Sequence, residues 1–231
     1  MRLRLDIEYD GTEFAGWAAQ PGRRTVEGIL RDALGRLFSG YDDLAVAGRT
    51  DAGVHALGQV ASVDVEGGPP AANAAAALNT VLPDDLSVIA AQQIADDFDA
   101  RQSAKTRSYR YRIYRRRTLS PFERRRSWWY PRPIEVARLA EAADAILGEH
   151  DFRAFTPTET HHRVFLREVK AAAWHKRGDA LEFEVTAESF LRHMVRSDLY
   201  PRNHLYVTAG LTNLPATFAF NTTTLPDGYH E

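Results

Sequence analysis

The order of hydrophobic patterns along the chain constrains its fold more than any other feature. In the first half, apolar residues recur with strand or helix spacing in the order β-α-β-β-α-β. Thr25 stands before the first helical stripe and is a typical N-cap residue. The predicted elements are a strand at residues 3–9, a helix at 26–37, strands at 44–47 and 59–65, a helix at 71–78 and a strand at 86–94. This order is typical of the ferredoxin-like split βαβ unit.

The second half begins with the same order of patterns. The predicted elements are a strand at residues 109–114, a helix between Pro133 and Gly148, strands at 164–174 and 181–186, and a helix that starts after Ser189. Two such units side by side predict an α+β fold with one continuous, mostly antiparallel sheet, helices on one face and the other face free for a ligand. The predicted division is 1–105, 106–197 and a tail at 198–231.

The tail from Asp198 onward does not continue the pattern. It contains internal prolines, has no helical stripe, and holds Arg202 as its single arginine. Residues 205–207 are apolar or aromatic and could form a short strand. A natural short ending and a different reading frame both explain this change, and the sequence leaves both open.

Composition excludes several classes of protein. With 26% charged and 10% aromatic residues, the chain is not typical of disordered or collagen-like proteins. Its lack of cysteine excludes disulfides and thiolate chemistry. The sequence contains no apolar run long enough for a membrane span, and the N-terminal residues do not resemble a signal peptide. A cytoplasmic location is therefore expected.

Positive charge is concentrated in residues 101–132, which we call the basic window. It holds eleven arginines and Lys105 against one acid, Glu123, in a chain whose net charge is −2. Its strand alternates an aromatic and apolar face with an arginine face: Tyr109, Tyr111 and Ile113 against Arg110 and Arg112. One interpretation is a solvated edge strand over core tyrosines. The other is a surface on which Arg110, Arg112, Arg115 and Arg116 contact nucleic-acid phosphates.

A glycine-flanked loop between two predicted strands carries the candidate for chemistry. Residues 48–56 have the sequence GRTDAGVHA and place Asp51 where a carboxylate can lie at the rim of a sheet. The alternative is an ordinary Asp-Gly turn capped by its own side chain. The chain contains no phosphate-binding glycine motif, and the adjacent His161 and His162 do not have the spacing of a metal site.

At this loop the chain resembles the tRNA pseudouridine synthase A family. The nonapeptide GRTDAGVHA at residues 48–56 is the hallmark of that family. Five further segments resemble the family and occur in the family's order along the chain: EYDGTEFAGW at 8–17, DDFDAR at 96–101, R-x-Y-x-Y at 107–111, GEHDF at 148–152 and FLRHMVR at 190–196. The resemblance extends from residue 1 to about 197.

The resemblance implies isomerisation of uridine to pseudouridine in the anticodon stem-loop of tRNA. It implies Asp51 as the catalytic carboxylate and Tyr109 as the ring that packs against the flipped uracil. Arg196 is implied as the cation that favours the ionised carboxylate, and Arg49 as a side chain that fills the vacated space or holds a phosphate. The family implies no cofactor and no metal, an RNA-binding cleft on the sheet, and a homodimer.

Two other functions stay open at the level of sequence. The changed C-terminal end could leave an RNA-binding module of the same fold without turnover. A different Asp-dependent enzyme acting on nucleotides is the remaining possibility, although no phosphate or metal motif accompanies Asp51.

Overall fold

The computed structural model describes residues 1–156, 163–191, 194 and 205–208. Its strands are β1 Arg2–Tyr9, β2 Gly40–Val46, β3 His55–Glu66, β4 Leu86–Gln93, β5 Arg107–Tyr114, β6 Trp128–Trp129, β7 Gly148–Asp151, β8 Leu166–Arg177, β9 Ala180–Ala187 and β10 Leu205–Thr208. Its helices are α1 Val26–Leu37, α2 Ala71–Asn79 and α3 Val136–Asp144, with short 3-10 helices at Gly11–Glu13 and Arg153–Phe155. The predicted α+β class is confirmed.

The chain forms two compact units. Among the described residues, the first contains Met1–Arg107 and residues 206–208, and the second contains residues 108–156, 163–191, 194 and 205. Of the predicted tail at 198–231, residues 205–208 are described and the rest lies outside the described residues. Within the described ranges, no helix is long and apolar enough to cross a membrane.

The sheet of the first unit is built around β3. β1 pairs antiparallel with β3 along one edge, from Arg2 opposite Asp64 to Tyr9 opposite Ala56, and β4 lies on the far side of β1. The other edge of β3 is shared: β2 pairs antiparallel with residues 61–66, and β10 pairs parallel with residues 55–58. The loop between β2 and β3 therefore leaves the sheet at the point where one partner strand replaces another.

Helices α1 and α2 cover one face of this sheet. The Thr25 hydroxyl accepts a hydrogen bond of 3.3 Å from the Gly28 amide, as predicted for an N-cap. The core contains fully buried apolar residues of β1 and α1: Leu3, Leu5, Ile7, Val26, Leu30 and Leu34. Burial of these side chains stabilises the unit by about 1.5 to 3 kcal/mol each. Ile29 and Leu37, also predicted for the apolar stripe of α1, are partly buried against the same core.

The opposite face of this sheet is not wholly free, which differs from the expectation. Ala47, Val60 and Ala100 form a small buried cluster there, with Phe98 and Ala104 packed against it. The covering residues belong to the connection between β4 and β5, which is irregular and has no hydrophobic periodicity. Hydrophobic periodicity in the sequence therefore does not predict this layer.

In the second unit the strand order is β5-β9-β8-β7, and β6 pairs parallel with β5. α3 packs on β8 and buries Leu139 and Ala143. The apolar face of the sheet includes Phe183, whose ring stacks on Trp174 at 4.9 Å. Strands β6 and β7 escape sequence-based prediction, because two to four residues are too few to show a period.

The structure differs from the predictions at the ends of two helices. α3 ends at Asp144 instead of continuing to Gly148, because Gly148, with a φ of 89°, begins β7. The helix predicted to start after Ser189 is not formed at Phe190 and Leu191. Most of its other residues, Arg196 among them, lie outside the described residues.

Candidate active site

Asp51 lies in the connection between β2 and β3, residues 47–54, which we call the Asp51 loop. Asp51 is partly exposed and Arg49 is exposed, whereas Thr50, Gly53 and Val54 are buried. The Val54 amide donates a hydrogen bond of 3.2 Å to the Asp51 carbonyl, which closes a turn in the backbone. The loop thus presents two charged side chains while its neighbouring residues are anchored.

Thr50, between the two charged residues, is held by β1 and by the segment after it. Its hydroxyl shares a hydrogen bond of 2.8 Å with the Tyr9 hydroxyl, and its carbonyl accepts one of 2.9 Å from the Trp17 amide. Burial raises the pKa of Tyr9 to about 12, so its hydroxyl stays neutral at physiological pH. Each of these hydrogen bonds contributes about 1 kcal/mol.

Two glycines allow the segment after β1, residues 10–17, to approach the Asp51 loop closely. A Cβ on Gly11 would lie 2.0 Å from the Val54 carbonyl oxygen, and one on Gly16 would lie 2.8 Å from that of Thr50. Gly16 also has a φ of 97°, which other residues rarely adopt. The EYDGTEFAGW segment at 8–17 therefore packs directly against the GRTDAGVHA segment at 48–56 and supports its backbone.

His55, at the end of the nonapeptide, is buried at 2% exposure. The Gly11 amide donates a hydrogen bond of 3.2 Å to its Nδ1, and an Asp10 carboxylate oxygen lies 3.0 Å from the same nitrogen. These contacts fasten the loop where it enters β3. They support a structural role for His55.

The opposite end of the loop is held by two side chains that donate to consecutive carbonyls. Arg107 Nε donates to the Ala47 carbonyl at 2.9 Å, and Gln59 Nε2 donates to that of Gly48 at 2.7 Å. Gln59 is completely buried. The family-like R-x-Y-x-Y segment contains Arg107 without giving it a role, and no sequence pattern marks Gln59, because a bond to a backbone carbonyl carries no sequence signature.

Tyr109 lies on β5 in the second unit and is buried at 9% exposure. Its ring meets that of Phe190 edge to face, with centroids 4.9 Å apart. Phe190 belongs to the FLRHMVR segment of the sequence. The orientation of the Tyr109 ring is thus set by an aromatic neighbour from another family-like segment. Arg196 of that segment lies outside the described residues.

The arginine face of β5 is paired with carboxylates. Arg112 donates to Glu123 at 2.8 and 3.0 Å and also to Glu182, and Arg110 lies 3.6 Å from Glu184. Hydrogen bonding to Glu123 raises the pKa of Arg112, and the same bonds lower the pKa of Glu123. These ion pairs differ from the open arginine face that the phosphate-contact interpretation predicts for Arg110 and Arg112.

The arginines beyond β5 lie in a different environment. Arg116 is exposed, donates to the Thr118 carbonyl at 3.1 Å, and lies over the Tyr114 ring at 5.6 Å. Arg115 is partly buried, and its amide donates to the Asp179 carbonyl at 2.8 Å. Arginines 124, 125 and 126 are all exposed. Exposed positive charge in the basic window is therefore found outside the strand.

No group of three or more histidine, aspartate or glutamate side chains within the described ranges is arranged to hold a metal ion. The chemistry available at the Asp51 loop is that of a partly exposed carboxylate, with the exposed Arg49 two residues away in the sequence. Such a carboxylate can act as a nucleophile or as a base.

Comparison with known proteins identifies the family. A family model described as tRNA pseudouridine synthase matches residues 7–102 and 142–198, which include the Asp51 loop. A tRNA pseudouridine synthase A of Myxococcus xanthus is 41% identical over 197 residues, 85% of this chain and 74% of the relative. One of Moorella thermoacetica is 42% identical over 196 residues, 84% of this chain and 80% of the relative. The extent of these matches confirms the resemblance carried by the nonapeptide: the chain belongs to the tRNA pseudouridine synthase family.

Proposed function

We propose that this chain isomerises uridine to pseudouridine in the anticodon stem-loop of tRNA, with Asp51 as the catalytic carboxylate. The observation that carries the proposal is the construction of the Asp51 loop. Buried or closely packed partners hold residues 47, 48, 50, 53 and 55, while Asp51 remains partly exposed. Rigid presentation of one carboxylate is what a reaction at a single sugar–base bond requires.

The reaction rearranges bonds within one nucleotide. The N1–C1′ bond breaks, a C5–C1′ bond forms, the proton leaves C5, and N1 carries a proton in the product. Atoms and electrons balance within the substrate, so the step needs no external oxidant or reductant. The carboxylate of Asp51 either attacks covalently or assists proton removal, and both roles require its ionised form.

The target base must leave the helical stack before Asp51 can reach it, at a cost of a few kcal/mol. Arg49 is exposed and two residues from Asp51, which supports a role in filling the vacated space or holding a phosphate. The edge-to-face contact with Phe190 supports Tyr109 as a fixed surface for the flipped uracil. Arg196 remains the proposed cationic partner of Asp51 on the strength of the family motif.

We assign tRNA backbone contacts first to the exposed arginines, with Arg116 among them, and secondarily to Arg115. Arg110 and Arg112 are weaker candidates because carboxylates surround them. A homodimer and a cytoplasmic location, where tRNA is found, complete the proposal.

The test is tritium release from tRNA that carries uridine labelled at C5, measured for the unmodified chain and for Asp51→Asn. We expect release to fall by about 10³-fold or more in the variant, since a group that moves protons or forms a bond is lost. Binding of tRNA is expected to persist. Asp32→Asn, an exposed change on α1, is the matched control.

Two outcomes would contradict the proposal. Full release by Asp51→Asn would remove Asp51 from the chemistry. Tight tRNA binding without any release by the unmodified chain would favour an RNA-binding module of the same fold.

A further inference from the structure

The connection between β4 and β5, residues 94–106, is fastened to the first-unit sheet by two arginines. Its Ala100 amide donates a hydrogen bond of 3.0 Å to the buried Ser62 hydroxyl. Arg2 and Arg107 then bind carbonyls of the connection from opposite ends. Arg2 and Arg107 therefore both fix the position of the connection between β4 and β5.

Arg107 also binds the Asp51 loop. Its three donor nitrogens reach three carbonyls, those of Ala47 at 2.9 Å, Arg101 at 2.8 Å and Ala104 at 3.0 Å. Ala47 directly follows β2 and is the first residue of the Asp51 loop. Because a guanidinium is planar and its donors have a fixed geometry, the loop and the connection are held in one arrangement.

Packing around the Arg107 stem reinforces this arrangement. A Cβ on Gly48 would lie 3.6 Å from Arg107 Cγ, so the stem lies at van der Waals distance beside the second residue of the loop. The Gly48 carbonyl is held in turn by Gln59. Asp51 follows three residues later, and no regular strand pairing fixes the backbone between them.

Arg2 provides a natural comparison, because it binds the connection without binding the loop. It is 3% exposed, donates to the Phe98 carbonyl at 2.7 Å, and pairs with Asp64 at 2.6 Å and Asp43 at 2.8 Å. Asp64 lies nine residues along β3 from His55, a separation of about 30 Å. Arg2 thus binds the same connection at the far end of the sheet and is more deeply buried than Arg107, which is partly buried.

We propose that Arg107 is a positioning residue for Asp51, which acts by holding the Ala47 carbonyl and with it the start of the Asp51 loop. This inference rests on the proposed function. Loss of the guanidinium lets the carboxylate sample unproductive positions, so the chemical step slows at saturating tRNA. Affinity for tRNA stays unchanged, because the three hydrogen bonds from the guanidinium to backbone carbonyls are all internal to the protein.

The experiment compares Arg107→Gln, Arg107→Lys and Arg2→Gln with the unmodified chain. Tritium release is measured under single-turnover conditions with increasing enzyme excess, which separates the saturating rate constant from the affinity. For Arg107→Gln we expect the rate constant to fall roughly 10- to 100-fold with unchanged affinity, the effect of a small misplacement of a catalytic group. Arg107→Lys retains a cation and should recover part of the rate.

Melting temperatures of the same variants separate positioning from general stability. We expect Arg2→Gln to lower the melting temperature at least as much as Arg107→Gln, yet to keep the unmodified rate constant well below both melting points. If Arg107→Gln does not fold, Arg107→Lys carries the comparison.

An unchanged saturating rate in the Arg107 variants would overturn the inference, as would equal losses of rate in Arg2→Gln and Arg107→Gln. Asp51→Asn distinguishes this failure from that of the proposed function. If Asp51→Asn is inactive and Arg107→Gln is fully active, only the positioning role is wrong.

Discussion

The Asp51 loop and the basic window both stand out in the sequence, but their charged residues lie in opposite environments. In the Asp51 loop, uncharged residues are held by buried neighbours and the charged Arg49 and Asp51 remain accessible. On β5 of the basic window, the charged residues Arg110 and Arg112 are themselves paired with carboxylates, those of Glu123, Glu182 and Glu184.

The difference shows that the charges of one sequence segment do not by themselves predict an exposed basic surface. Within residues 101–132 the single acid is Glu123, so the window by itself is strongly positive. Folding adds Glu182 and Glu184 from β9, which are distant in sequence. Arg112 therefore contributes to stability, and the exposed arginines from 124 to 126 are the better candidates for binding. Three sets of substitutions test this distinction.

The largest effect on stability is expected where residues 8–17 pack against the Asp51 loop. Gly11→Ala places a methyl group against the Val54 carbonyl, 2.0 Å away before relaxation, so one backbone segment must move. We expect a loss of about 3 kcal/mol in the free energy of unfolding, measured by urea titration. Tritium release should fall as well, because the displaced backbone carries Asp51.

Gly35→Ala is the control for that variant. Its Cβ would lie 3.6 Å from the Tyr41 ring, an ordinary contact, and it lies within α1. We expect a gain of about 0.5 to 1 kcal/mol, because alanine is favoured over glycine in a helix. A Gly11→Ala variant with unmodified stability and activity would show that the loop is not held as tightly as described.

A smaller effect is expected from Arg112→Gln, which leaves Glu123 and Glu182 without their shared cation. The free energy of unfolding should fall by about 2 to 3 kcal/mol, below the range for fully buried pairs because the Arg112 side chain is 23% exposed. The affinity for tRNA and its dependence on salt should stay nearly unchanged. A strong loss of affinity with intact stability would instead assign Arg112 to the RNA surface.

The same pair predicts a pH dependence. Hydrogen bonding to Arg112 lowers the pKa of Glu123 below its ordinary value of 4.5 in the folded protein. The stabilisation is therefore present above that value and is lost as the pH falls through the lowered pKa. The difference in unfolding free energy between the unmodified chain and Arg112→Gln should shrink as the pH drops below 4.5.

The smallest effect on stability is expected from changing Arg124, Arg125 and Arg126 together to Gln. In contrast to Arg112→Gln, this variant should lose affinity for tRNA. The slope of log affinity for tRNA against log salt should fall by about one for each phosphate that the variant no longer neutralises, with affinity reduced about tenfold at moderate salt. The free energy of unfolding should fall far less than in Arg112→Gln, because interactions of exposed arginines contribute little to stability. Arg138→Gln, which removes an exposed arginine of α3, is the control, and equal slopes for both variants would contradict the assignment.

Much of the first unit could be predicted because its elements follow simple periods. Alternation places Leu3, Leu5 and Ile7 on one face of β1, and the hydroxyl of Thr25 marks the start of α1. The family motif selects Asp51. It does not reveal that Tyr9 and the glycines at 11 and 16 fit against the loop, because these contacts depend on three-dimensional proximity.

The rest of the site depends on interactions that leave no pattern in a sequence. Arg107 and Gln59 donate hydrogen bonds to backbone carbonyls. Because every residue has a carbonyl, the amino-acid sequence does not identify the acceptor. The pairing of Arg112 with Glu182 depends on which strands are neighbours in the sheet. Short strands such as β6 are defined by their partners alone.

The shared edge of β3 has a consequence for how the chain avoids association with other chains. β2 leaves β3 at Val46, opposite Ala61, and residues 55–58 of β3 are covered by β10 instead. β10 comes from the part of the chain beyond the last residue matched by the family model, 198. Without it, peptide groups next to the Asp51 loop would form an open strand edge, the kind of surface to which a foreign strand can add. By pairing with residues 55–58 of β3, the segment beyond the family match therefore occupies the edge to which a foreign strand could otherwise add.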